Sequence, residues 1–423
     1  MRKISLLTAL LFLSLSLGVG VLAQEAELPS PGLTPDSPFY FLERISEGIG
    51  TFFTFGDLKK AERYAALAAE RIAEVQAVVE KGKPEAAGRA LKRYEDQLGR
   101  ALAKAETAKA KGQKTEKVTE IVAKATSKHL SVLEGLLEKV PDVAKEAITK
   151  ALEKSKNGHI TALKALAGEN SAKAVEINID SAKGRLEKAK QETAKKQKEK
   201  VEKALEDYED LQTTLEEVRG KGKTLAALVS EERIKNIEDL DKIEDGAKDI
   251  SAETAGKVRE AKDRTISRQM SSLRDIADED PEKATEINLK AAEARLNRAK
   301  AKAEEGKIDE VEEAIKEFEN QYKFGEEISQ IAQGLGKDIT TVEQLVGKAT
   351  SIHLEILAEV YEKVPEQAKE AIEKAMEVSA KGHQRAVEAL KAKGALDEVS
   401  EEVPVPKELP EKVKERIKKP ETP

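Results

Sequence analysis

Residues 124–141 read KATSKHLSVLEGLLEKVP, and residues 348–365 read KATSIHLEILAEVYEKVP. The two stretches carry a histidine at the same place and end on the same three residues, 224 positions apart. In both, apolar residues recur at spacings of three and four, which is the period of an amphipathic helix and not the alternation of a strand. A duplicated helical segment therefore predicts an all-α chain built from repeats.

The repeat extends well beyond these two stretches. A constant shift of 224 aligns about a hundred residues without a gap, which indicates duplication of a module and not merely shared helical composition. A weaker middle copy begins at residues 173–190, which match residues 283–300, and it carries Gln269 where the other copies carry histidine. The aligned positions include Arg71 and Arg295, Gly82 and Gly306, Tyr94 with Tyr208 and Phe318, Gln97 and Gln321, Gly112 and Gly336, and Pro141 and Pro365.

Prolines and glycines predict where the helices begin and end. Proline is tolerated in the first turn of a helix and breaks its interior, and the four prolines between residues 39 and 403 each precede a helical pattern. Short glycine-containing turns indicate antiparallel neighbours. We expect tandem antiparallel helical hairpins, grouped in four-helix modules along an elongated, coiled-coil-like array. The first module is predicted to have helices at about 58–81, 84–111, 115–140 and 141–167.

Composition agrees with this architecture and divides the chain. The sequence is 36% charged and 3% aromatic and has no cysteine, which is typical of long helices and resembles thermophile proteins. The tail is rich in proline and charge, so we expect it to be extended or briefly helical and unpacked, either a spacer or an inert terminus.

The predicted segments are a signal peptide (1–23), an N-terminal segment with an aromatic amphipathic helix (24–56), module 1 (57–168), a divergent module 2 (169–280), module 3 (281–395) and the tail (396–423).

The first 23 residues have the pattern of a secretory signal peptide. Arg2 and Lys3 precede an apolar run, and Val21-Leu22-Ala23 forms a small-residue cleavage site. The run is also about long enough to span a bilayer if it is not cleaved. We predict cleavage and an extracytoplasmic protein, which is secreted, periplasmic or at the cell surface. The net charge of −7 argues against binding to nucleic acid.

Six of the 14 aromatic residues crowd into residues 39–55. Ser37 is a candidate cap for a helix with Pro38 at its first position. The favoured interpretation is a lid that packs its apolar face on the open end of the first module. The alternative is an exposed face that binds a partner or a membrane surface, with these candidate residues: Phe39, Phe41, Phe52, Phe53 and Phe55.

The four histidines fall at paired positions of the repeat. His129 and His353 lie in apolar stripes, whereas His159 and His383 each follow a glycine that indicates close packing. The rings of His129 and His159, in one hairpin, would be offset by about 10 Å along the helix axis. Neither histidine has a Glu, Asp or His three or four residues away that could bind the same metal. We interpret them as structural histidines that bond a neighbouring helix. The alternative is a metal or small-ligand site. The many carboxylates are interpreted as solvated helix faces with lysine partners.

Residues 31–74, PGLTPDSPFYFLERISEGIGTFFTFGDLKKAERYAALAAERIAE, resemble the opening motif of an uncharacterised family. Residues 129–155 resemble that family's closing hairpin. The family is a domain of unknown function in exported archaeal and bacterial proteins, and related copies occur in extracytoplasmic parts of anti-sigma-like proteins. The resemblance covers about 31–168 and 281–395, and implies a helical, exported protein without assigned catalytic residues. The expected sigma-interacting and transmembrane parts are missing, which counts against an anti-sigma role.

The sequence therefore predicts a non-enzymatic exported helical-repeat protein with a structural or protein-interaction role at the cell envelope. Its expected partners are envelope or surface proteins, and no cofactor is expected. The alternative function is a metal- or small-ligand-binding module that uses His129, His159, His353 and His383. A third hypothesis is membrane attachment, and any membrane contact is expected only through the N-terminal segment.

Overall fold

The computed structural model describes residues 28–220, 222–396 and 399–419, and these residues form fourteen α-helices and no strand. The predicted all-α tandem-repeat fold is confirmed. The predicted signal peptide lies outside the described residues. The helices are α1 Tyr40–Phe52, α2 Asp57–Glu80, α3 Pro84–Ala110, α4 Glu116–Leu137, α5 Asp142–Ala167, α6 Ser171–Ala194, α7 Lys198–Arg219, α8 Lys223–Lys248, α9 Ala252–Ala277, α10 Pro281–Glu304, α11 Ile308–Gly334, α12 Thr340–Lys363, α13 Glu366–Lys393 and α14 Glu411–Lys418.

Consecutive helices pair as hairpins, and the chain divides after Asn170 into two compact units. Unit 1 holds α1 and the hairpins α2–α3 and α4–α5, with α2 against α4 and α3 against α5. Unit 2 holds four hairpins, α6–α7 through α12–α13, and within it each hairpin packs on the next, followed by α14 against α13. Each unit is thus a stack in which every hairpin buries its apolar face on a neighbour.

The turns use the residues that the repeat predicts. Gly82, Gly112, Gly306 and Gly336 all have φ between +69° and +73°, a left-handed conformation in which a Cβ would be strained. Pro84 and Pro281 open helices, where the missing backbone N–H leaves no hydrogen bond unmade. The helices of the first module begin and end within about three residues of the predicted positions.

An Ala-rich core is anchored by one aromatic ring per module. Tyr94, Tyr208 and Phe318 occupy the equivalent place in the second helix of each module, and all three are fully buried. Alanine lets helices approach closely but buries little area, so these rings supply much of the apolar area of each layer.

The tail departs from the expectation, which was wrong about its packing. Leu409, Val413 and Ile417 are buried and belong to the same core as α10 to α13. Arg416 also forms ion pairs with two carboxylates of α13, Glu373 and Glu377. Val413 and Ile417 are spaced four apart on one face of α14, and Leu409 lies just before the helix, so a highly charged segment closes the last hairpin of unit 2.

The glycines that precede the second histidine of each hairpin make room for a neighbouring side chain. A Cβ on Gly382 would lie 1.7 Å from Tyr322 Oη, and one on Gly158 would lie 3.0 Å from Leu98 Cδ2. The shift of 224 relates Leu98 to Tyr322, so both modules use the glycine for a bulky residue of the second helix.

We expect Gly382→Ala to lower the free energy of unfolding by roughly 1–3 kcal/mol, because the buried Tyr322 ring must move. Gly158→Ala should lower it less, because a leucine can change rotamer. Gly88→Ala is the control: it lies in α3 with nothing within 4 Å of the new Cβ, so helix propensity should raise stability by about 0.5–1 kcal/mol. Urea unfolding measures all three. A Gly382→Ala protein as stable as the Gly88→Ala protein would contradict the account.

Candidate functional site: an outward-facing aromatic helix

Helix α1 is amphipathic, and its apolar face points to solvent. The α1 apolar face, as we call it, consists of residues that are 51–74% exposed: Phe39, Phe41, Leu42, Ile45, Ile49, Phe52, Phe53 and Phe55. The opposite stripe is polar and contains Tyr40 and Glu47, which face α2. The expected lid, with its apolar face packed on the module, was therefore wrong in orientation.

A buried cluster of polar groups sets this orientation. Tyr40 Oη donates to Glu74 Oε2 at 2.7 Å and accepts from Arg71 Nη1 at 2.8 Å. Arg71 Nη2 also pairs with Glu47 and lies 2.9 Å from Glu74 Oε1. Arg71 and Glu74 are fully buried, and the guanidinium of Arg93 lies 4.9 Å from the centre of the Tyr40 ring. The first hairpin thus presents charged side chains from within α2 and α3, and these select the polar stripe of α1.

Burial in this cluster raises the pKa values of Glu74 and Tyr40. Burial raises the pKa of Glu74 to about 8, although the Tyr40 hydroxyl and Arg71 act in the opposite direction. Because this folded-state pKa lies above the unfolded value, the contribution of the carboxyl to stability is complete at low pH and is lost as pH rises through 8. Burial likewise raises the pKa of the Tyr40 hydroxyl, which therefore stays a donor.

The segment before α1 is tied to the same hairpin. Lys81 Nζ donates to Thr34 Oγ1 at 2.8 Å, Lys83 Nζ lies 2.9 Å from Asp36 Oδ2, and Arg89 Nη2 donates to the Pro35 carbonyl at 2.7 Å. The prediction that Ser37 caps a helix beginning at Pro38 was wrong: α1 begins at Tyr40 after Phe39, and Ser37 Oγ accepts from the backbone N–H of Phe39 at 3.2 Å. Two separate sets of contacts therefore hold the α1 apolar face outward.

The repeat explains why Arg71 is the point of attachment. Its equivalent in the third module, Arg295, is also buried and lies 2.9 Å from Asp241 of the preceding hairpin. At the first hairpin, Tyr40 and Glu47 of α1 supply the partner groups instead. This alignment of Arg71 with Arg295 was visible in the sequence, but nothing there identified either residue as buried.

All three modules use the same helix-to-helix bond at the second histidine position. His159 Nδ1 lies 2.9 Å from the Ala123 carbonyl, and His383 Nδ1 lies 3.3 Å from the Gly347 carbonyl. In the middle module, Gln269 Nε2 donates to the Ser230 carbonyl at 3.1 Å. The residue type changes while the bond to the preceding helix persists, as expected of a structural contact.

His129 and His353 pack edge-on against the aromatic anchors. Their rings lie 5.2 Å from that of Tyr94 and 5.3 Å from that of Phe318, respectively. Burial lowers the pKa of His129 to about 3 and that of His353 to about 4, so both rings are neutral at physiological pH. Within the described parts of the chain, no three His, Asp or Glu side chains are grouped as metal ligands.

Divalent metals test the remaining metal hypothesis for the four histidines. We expect that adding Zn²⁺, Ni²⁺, Co²⁺ or Cu²⁺ to chelator-treated protein leaves its melting temperature unchanged, because each ring already packs on a neighbouring helix. A metal held only by the native state would raise that temperature, and the rise would increase with the metal concentration. The contradicting result is a concentration-dependent rise that is abolished when all four histidines are replaced by glutamine.

Unit 2 contains buried charges that the interpretation of solvated carboxylates missed. The Lys262 side chain is fully buried, and its Nζ lies within 3.2 Å of four carboxylates. Two of them are on α8 and two on α11: Asp241, Glu244, Glu313 and Glu317. The sequence of α8 contained one indication of this burial: Asp241 directly follows Leu240, and Glu244 directly follows Ile243, and both apolar residues are buried.

Fold and surface together define the class: a helical tandem-repeat protein that presents one aromatic helix. Residues 32–143 match a family model described as "Domain of unknown function (DUF5667)", which spans α1 to α4 and supports the resemblance to an uncharacterised family. No curated protein matches the chain in sequence. A solved structure described as a circular tandem repeat protein with novel repeat topology and enhanced subunit contact surfaces is 15% identical, with a TM-score of 0.61, and the match covers 85% of this chain and 78% of that one.

The structural comparison supports the architecture, and none of the comparisons assigns a chemistry. At 15% identity, the structural match shows the fold alone. The family description assigns no activity. In the described residues, the helices all fall short of the length and apolarity that crossing a membrane requires.

Proposed function

We propose that this chain is a non-enzymatic, exported helical-repeat protein that attaches to another surface of the cell envelope through the α1 apolar face. The observation that carries this proposal is that eight large apolar side chains are exposed on α1 and at its two ends, and that polar contacts hold this helix in place. An exposed apolar patch of this kind marks an interaction site on a soluble protein. In this proposal the stacked helical hairpins are the structural part of the protein, and the α1 apolar face is its attachment site.

Export is the second part of the proposal. It is supported by Arg2 and Lys3 followed by the apolar run and the small-residue site ending at Ala23. The expected partner is therefore a component of the envelope or cell surface.

Cell fractionation tests this function. We expect the wild-type chain to be recovered with the envelope, and the triple variant Phe41→Ser, Ile45→Ser, Phe52→Ser to be recovered in the soluble extracytoplasmic fraction. The three residues are 54–74% exposed, so the substitutions should leave the melting temperature nearly unchanged.

The matched control removes exposed apolar residues elsewhere: Val143→Ser, Leu335→Ser, Ile352→Ser. This control variant should fractionate as the wild type does. The proposed function fails if the α1 variant stays with the envelope as the control does, or if the wild-type chain remains in the cytoplasm.

A further inference from the structure

We propose that the α1 apolar face binds a lipid surface. This inference rests on the proposed function, because it names the surface to which α1 attaches. Three features of the molecule support it: the shape of the face, the charges around it and its place in the chain.

The face is a convex ridge. It runs along one helix of 13 residues, about 20 Å long, and continues into the turn at Phe53 and Phe55. The rings of Phe52 and Phe53 stand nearly perpendicular, 5.3 Å apart, at the exposed end of this ridge. A protein partner would need a surface complementary to the ridge. A lipid surface needs no preformed groove and covers both flanks of a convex helix.

The side chains suit the boundary between lipid headgroups and acyl chains. Interfacial helices combine bulky apolar residues on one face with charged residues on the other. Here phenylalanine, leucine and isoleucine form the outer face, while Glu47 points inward to Arg71. The arrangement turns that carboxylate away from the surface that the helix would meet.

The acidic residues that flank α1 are also neutralised. Asp36, before the helix, lies 2.9 Å from Lys83 and 3.7 Å from Lys81. Asp57, after it, lies 2.9 Å from Lys104 and 2.5 Å from Lys111. Although the whole chain is acidic, the two ends of α1 therefore do not present unpaired carboxylates to an anionic membrane.

The position of α1 in the sequence keeps it near a membrane during export. Eighteen residues separate the apolar run, which ends at Val21, from Tyr40. Fully extended, they span at most roughly 60 Å. Whether the run is cleaved or retained, α1 emerges within that distance of the membrane into which the run inserts.

Vesicle flotation tests the inference with the chain that begins at Gln24, which lacks the apolar run. The probes are phosphatidylcholine vesicles with and without phosphatidylglycerol. We expect the folded wild-type chain to float with vesicles and the Phe41→Ser, Ile45→Ser, Phe52→Ser variant to bind at least tenfold more weakly. The Val143→Ser, Leu335→Ser, Ile352→Ser control should bind as the wild type does.

The lipid inference is overturned if the folded wild-type chain does not float with either vesicle, or if the α1 variant floats equally well. Cell fractionation separates this failure from failure of the proposed function. Loss of envelope recovery in the α1 variant without any flotation would identify a protein or glycan surface, so the proposed function would stand while the lipid inference fell. If the chain does not float with vesicles and the α1 substitutions do not change its fractionation, both proposals are overturned.

Discussion

Replacing Lys262 by alanine is expected to lower the free energy of unfolding of unit 2 by roughly 3–5 kcal/mol. The Lys262 side chain is fully buried, and its ammonium lies 2.9 Å from Glu244 and 3.0 Å from Glu317. Burial by itself would lower the pKa of this ammonium, but Glu317, Asp241 and Glu244 raise it above its usual value. The variant would leave these carboxylates in a dry site with one cation fewer.

The control for Lys262→Ala is an exposed ion pair of the same unit. Lys300 lies 2.5 Å from Glu359, with both side chains partly in water, so Lys300→Ala should change stability by less than about 1 kcal/mol. Chemical denaturation of both variants gives the comparison. If Lys262→Ala cost no more than Lys300→Ala, the buried charges would not be a structural element of unit 2.

Acid is expected to destabilise the protein through His129, and His129→Gln should remove this part of the effect. The pKa of His129 is about 3 in the folded chain and about 6.5 when unfolded, because burial disfavours the charged ring. Below pH 6.5 the unfolded state therefore takes up a proton that the folded state does not. The stability from this ring is complete above pH 6.5 and is lost as pH falls toward 3, by about 1.4 kcal/mol per pH unit.

Urea unfolding at pH 7 and pH 4.5 measures this effect in the wild-type and His129→Gln proteins. Carboxylates titrate in the same range in both, so the informative quantity is the difference between the two proteins. That difference should shift by roughly 3 kcal/mol in favour of the variant at the lower pH. His353→Gln should behave in the same way, since the pKa of His353 is about 4. An equal loss of stability in wild type and variants would show that the rings are accessible to protons.

The helices and their pairing could be predicted from sequence because they depend on local patterns. Pro84 and Gly82 mark a turn wherever they occur in a helical context, and the shift of 224 repeats that turn at Gly306. The contact of the second histidine with a preceding helix was predicted for a similar reason, since the repeat constrains every copy.

The orientation of α1 could not be predicted, because it depends on what the helix meets. Its apolar stripe suggested burial, but the part of α2 that it meets carries Arg71 and Glu74, which bind the polar stripe. The same limit applies to Lys262, because residue type alone does not distinguish a buried lysine from a solvated one. The packing of the tail was mispredicted, because its many charges conceal three apolar residues that are spaced four apart and buried.

The most direct test of the central claim is a single-cysteine scan of α1. The chain has no cysteine, so a nitroxide label can be placed at one position at a time from residue 39 to residue 53. Vesicles should raise the exposure of the label to lipid-soluble oxygen with a period of about 3.6 residues, with maxima near Phe41, Ile45 and Phe52 and minima near Tyr40 and Glu47. A profile that vesicles leave unchanged, or one without a helical period, would contradict the claim that this face binds a membrane surface.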